Sequence, residues 1–105
     1  MQLSEIQPFT IRVLYIARYE LALASALNFL YESGFDSLGA LRDEEALELF
    51  KEYEPQLVII NQHVENNSKV LLKDSLLKNN ASLTILEHEG GVLALKLLIE
   101  NYYHV

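Results

Sequence analysis

The sequence predicts an α/β fold: a doubly wound parallel sheet of four or five strands with helices on both faces. Two kinds of run predict it. TIRVLYIA, QLVII and SLTILEH are apolar and rich in β-branched residues without alternation, as strands covered on both faces are. Between them lie stretches with apolar residues at helical spacing, punctuated by Gly34, Pro55 and the Gly90-Gly91 pair. The order βαβαβαβα then implies parallel strands with right-handed crossovers, and any site lies at the carboxyl ends of the strands.

Each element has its own reason. Residues 11 to 17 read as a central strand, and Tyr19 to Ser33 as a helix whose Leu21, Ala24, Leu27 and Leu30 share a face, with Ala22 and Ala26 between them and Gly34 at the C-cap. FDSLGAL is more polar and contains Gly39, which marks an edge strand. Asp43 is the expected N-cap of a second helix, Glu44 and Glu45 favour its positive end, Ala46, Leu47, Leu49 and Phe50 form its apolar face, and Pro55 stops it. QLVII is a second buried strand. NNSKVLLKDSLLKNN is a third helix with Val70, Leu71, Leu72, Leu76 and Leu77 inside and Ser68 as its N-cap. SLTILEH is a third buried strand, and VLALKLLIENYY is a last helix or a helix followed by strand.

A chain of 105 residues, half of them hydrophobic, makes one domain that buries roughly 60–70% of its unfolded surface. It has no cysteine, which excludes a disulfide framework, a zinc-thiolate site and a thiol nucleophile and fits a reducing compartment; cytoplasm is the expectation. No secretory pattern or membrane-length apolar run is present, so no membrane association is expected. The net charge of −7 and the scattered lysines and arginines argue against direct nucleic-acid binding.

From Arg12 to Val64 the sequence resembles a response-regulator receiver domain, a flavodoxin-like module of bacterial two-component signalling. RVLYIA stands where that family's first strand runs, LNFLYESGF where its first helix closes on glycine, and RDEEALELFKEYEPQLVIIN where its second helix and third strand lie. The resemblance weakens over 65–90 and is poor at the C-terminus. It implies an acidic pair after the first strand, a phosphoacceptor aspartate ending the third, a hydroxyl residue ending the fourth and a lysine ending the fifth. Those positions fall on Ala17 and Arg18, on Asn61 and on Glu87, and no lysine matches the last.

Magnesium takes carboxylate oxygens, and an acyl phosphate needs a carboxylate nucleophile, so this set supports neither. The expectation is a degenerate receiver without cofactor, metal or catalytic residue, in which Arg18 pairs with Glu87 where a metal would sit. It would act through proteins, as a homodimer or by docking another signalling protein. With one helix left for two places, either that helix packs beside the first, or YYHV adds a short strand and leaves the first helix bare. Leu23, Leu27, Tyr102 and Tyr103 are the candidate interface. The competing reading is a small flavodoxin-like ligand-binding protein or enzyme using Glu87, His88 and His63, with a weak resemblance to a zinc or iron ligand set. Gly90-Gly91 reads as a turn.

Overall fold

Four five-residue strands form one parallel sheet in the order β2-β1-β3-β4. The structure is a computed structural model that describes residues 11–103. In chain order the elements are β1 (Arg12–Ile16), α1 (Glu20–Glu32), β2 (Asp36–Ala40), α2 (Asp43–Tyr53), β3 (Leu57–Asn61), α3 (Asn66–Asn79), β4 (Thr84–His88) and α4 (Val92–Tyr103). The predicted α/β architecture is therefore present with four strands. Among the described residues no helix is long and apolar enough to cross a membrane.

Alternation along the two central strands sorts the core into two layers. Leu14, Ile16, Val58 and Ile60 face α2 and α3, where Ala46, Phe50, Leu72 and Leu76 meet them. Val13, Tyr15, Leu57 and Ile59 face the other way and pack with Ala26 and Leu30 of α1 and Leu95 and Ile99 of α4. The last helix thus lies beside the first. Tyr102 and Tyr103 close that helix and do not enter a fifth strand, while His104 and Val105 lie outside the described residues.

The helix ends follow local chemistry. Gly34 takes a left-handed φ of 95°, the Phe35 N–H bonds to the Leu30 carbonyl and the Gly34 N–H to that of Tyr31, which closes α1 as a Schellman motif. The glycine read as a C-cap is one. Arg42, not Asp43, is the N-cap of α2, because the Asp43 carboxylate is drawn to Arg18. Glu45 reaches back to the Leu41 N–H at 3.1 Å, one residue before the N-cap, and ties the incoming loop to the first turn without capping it. Glu65 is the N-cap of α3, which places Ser68 inside its first turn.

Two apolar faces differ from the sequence reading. Leu21 is 85% exposed, since the buried stripe of α1 runs through Ala26 and Leu30, with Leu23 and Leu27 lying over the Cβ-free position of Gly39 on β2. In α3 the stripe narrows to Leu72 and Leu76, leaving Val70, Leu71 and Leu77 at the surface. Both helices contact one sheet face, so a narrow stripe suffices. Replacing Leu30 by alanine is expected to cost about 2–5 kcal/mol in urea unfolding. Leu21→Ala should stay within about 0.5 kcal/mol, and equal losses would contradict this orientation of α1.

Candidate functional site at the carboxyl ends of the strands

β1, β3 and β4 deliver Tyr15, Asn61 and His88 to one buried cluster, with relative exposures of 0%, 4% and 4%. A phenol, an amide and an imidazole out of water must pair with one another. The His88 Nε2–H donates to the Gly91 carbonyl at 2.8 Å, so the neutral ring presents Nδ1 as an acceptor. The Tyr15 hydroxyl donates to that nitrogen at 2.5 Å. It accepts in turn from the Asn61 Nδ2–H at 2.9 Å, and Asn61 Oδ1 accepts the His63 backbone N–H at 2.9 Å. The bonds run in one direction with no donor facing another. Gln62 adds a strut, its Oε1 accepting the Gly90 N–H at 2.9 Å.

Arg18 forms a second group, over the loops on the α2 and α3 side. Its Nη2 donates to Asp43 at 2.6 Å, its Nε to Glu65 at 3.1 Å and its Nη1 to the Leu41 carbonyl at 3.1 Å. One guanidinium thereby ties the ends of β1, β2 and β3. Burial would lower its pKa, but its hydrogen bonds to Asp43 and Glu65 and their negative charge together outweigh that effect and hold it charged. The Glu65 carboxyl is held below its ordinary value first by its own backbone N–H and then by Arg18.

The expected Arg18–Glu87 pair is not formed. Glu87 projects toward α3, where Lys73 and Lys69 are its partners, the latter at 3.5 Å. Lys73 is the main cause of the lowered Glu87 pKa. Ala17 belongs to the layer of Tyr15, and Asn61 lies on that same side, so the four positions divide into separate groups. The trio of Glu87, His88 and His63 is not assembled either. Glu87 and His88 point to opposite faces because successive strand residues alternate, and His63 is exposed with its ring edge-on to Tyr19 at 5.1 Å. Among the described residues no three histidine, aspartate or glutamate side chains gather as a metal site.

The magnesium site implied by the resemblance finds no fit in these groups. Ala17 offers no side-chain oxygen, Arg18 brings positive charge, and the Asn61 side-chain oxygen already accepts the His63 backbone N–H. Beside the cluster, a half-open cavity of about 370 Å³ lies between α1 and the start of α4, with Tyr15, Asn61 and His88 in its lining. Their polar atoms face one another in the relay described above.

The candidate interface residues are also engaged. Leu23 and Leu27 pack on β2, Tyr103 lies against Phe35, and the Tyr102 hydroxyl bonds to Thr84 Oγ1 at 2.6 Å. Sequence reasoning missed Tyr15, Gln62, Asp43 and Glu65. A tyrosine inside the otherwise apolar run 13–17 was the available signal, since its hydroxyl needs a buried partner.

Tyr15→Phe should destabilise the fold by about 1–3 kcal/mol in denaturant unfolding, because Asn61 and His88 each lose a partner. Burial raises the Tyr15 pKa above its ordinary 10.0, only partly countered by Asn61. The folded chain therefore retains a proton that the unfolded chain releases: this contribution is complete below the unfolded value and is lost as pH rises through the folded one. Burial also raises the Tyr103 pKa, so an ultraviolet titration of Tyr15→Phe should show one late-ionising phenol fewer, with that of Tyr103 remaining; an unchanged curve would contradict the cluster.

No family model matches the chain, and no curated protein matches it in sequence. Solved structures do. A signal receiver domain of an HD domain-containing protein from Pseudomonas fluorescens Pf-5 aligns with a TM-score of 0.70 at 17% identity, covering 91% of this chain and 99% of that one. A response regulator receiver domain protein from Clostridium thermocellum gives 0.69 at 19% identity, with 90% and 75% covered. The receiver domain of NtrC4 from Aquifex aeolicus gives 0.65 at 20% identity, with 88% and 78% covered. The chain has the flavodoxin-like fold of receiver domains.

Proposed function

We propose that this chain is a pseudo-receiver: a phosphorylation-independent module that binds proteins in bacterial signalling or regulation, not an enzyme. The observation that carries the reading is Arg18, a guanidinium bound to Asp43 and Glu65 at the strand ends of a receiver-like fold. It supplies fixed positive charge at the same end of the sheet as, but in a separate group from, a neutral amide locked by Tyr15 and His63. A phosphoryl acceptor needs a free carboxylate, and Asn61 has none. The likeness of fold supports a signalling role, and the satisfied polar cluster supports a structural task for the residues at the strand ends. The ligand-binding alternative draws less support, because Glu87, His88 and His63 occupy separate environments.

Incubation with acetyl phosphate and magnesium should add no phosphoryl group by intact-mass measurement. Asn61→Asp should also remain unmodified, because Arg18 and Ala17 still stand where the acidic pair would be, and it should lose stability through a carboxylate confined beside the Tyr15 oxygen. Stoichiometric labelling of the unaltered chain would overturn the reading.

A further inference from the structure

We propose that the outer edge of β4 is a dimerisation edge, pairing antiparallel with β4 of a second copy across a twofold axis. This names a partner for the module proposed above and rests on that reading for its role alone.

The two edges of the sheet are unlike. β2 carries Gly39 and an exposed Asp36 tied to Arg12 at 2.6 Å, features that blunt an edge. β4 has neither proline nor glycine, its Thr84, Ile85 and Leu86 are half-buried, and among the described residues nothing pairs with its outer side. A row of unpaired backbone groups beside partly exposed apolar side chains is a template for a further strand. Leu97 of α4, 52% exposed and lining the same groove as Glu87, extends the apolar surface.

The occupant is a second copy because the strip is self-complementary. One antiparallel register pairs all five residues of both strands, and it sets Leu86 against Leu86, Ile85 against Glu87 and Thr84 against His88. No like charges stand directly opposite. Each Glu87 carries Lys69 and Lys73 with it, and with Glu89, which lines the same groove, each copy brings two cations and two carboxylates, so the strip is locally balanced and avoids the repulsion that a net charge of −7 per chain would otherwise bring. A twofold pairing also satisfies both exposed edges at once and closes the assembly.

The chain lacks cysteine, so a single introduced thiol reports the contact cleanly. In this register the two Leu86 Cα atoms lie about 4.5–5.5 Å apart, within disulfide reach. Under mild oxidation Leu86→Cys in the full chain should give mainly covalent dimer, and Leu21→Cys on the exposed start of α1 should stay monomeric. Sedimentation velocity of Leu97→Glu, a surface change whose melting curve should be unaltered at dilutions where both chains are monomeric, should show dimerisation weakened about tenfold or more. A Leu86→Cys chain that stays monomeric, a Leu21→Cys chain that crosslinks, or an unaltered chain that sediments as a monomer at high micromolar concentration would each overturn the proposal. Phosphoryl labelling with intact crosslinking would sink the pseudo-receiver reading and leave the dimer, and a monomer without labelling would do the reverse.

Discussion

A phenolic hydroxyl with no access to water has to be hydrogen-bonded by protein, and Tyr15 carries one on a strand in the middle of the sheet. Much of the local order at the strand ends depends on that requirement. Asn61 turns its amide toward the oxygen, His88 turns Nδ1 toward the proton, and the other face of the imidazole fixes the Gly91 carbonyl where α4 begins. The same carbonyl accepts the Leu95 N–H, so the start of the last helix is set from a core strand two positions away in the sheet.

The placement of α4 follows from this and from the size of the sheet. With four strands there are two faces and four helices, and α2 with α3 already fills one face. Leu95 and Ile99 therefore have their apolar counterpart over β1 and β3, beside Ala26 and Leu30. The small Ala26 lets α1 and α4 share the face, and β4 is left with one side paired.

The strands were legible because apolar runs without alternation leave little choice, and Gly34 and Pro55 announce their turns through backbone constraints that act within a few residues. What escaped is non-local. Asp43 has the chemistry of an N-cap, yet a guanidinium 25 residues away competes for its carboxylate and wins with a charge-assisted bond. Leu21, Leu71 and Val70 fit helical spacing but point away from the one face their helices bury, and no local rule says how wide that face is. At the candidate site Asn61 could be picked out as an amide ending a strand. Its partner Tyr15, 46 positions earlier, could not be paired with it before the register of β1 and β3 was known.

Arg18 gives this end of the sheet a particular thermodynamic character. A bound ion or a covalent group holds loops together to a degree that varies with concentration or with the action of another protein, so the shape of the loops becomes a variable. The counter-ion here is part of the chain, present once per molecule at an effective concentration that never changes. The balance among the conformations of these loops is then written into the sequence as a constant, and only a contact with a differential preference for one of them can move it.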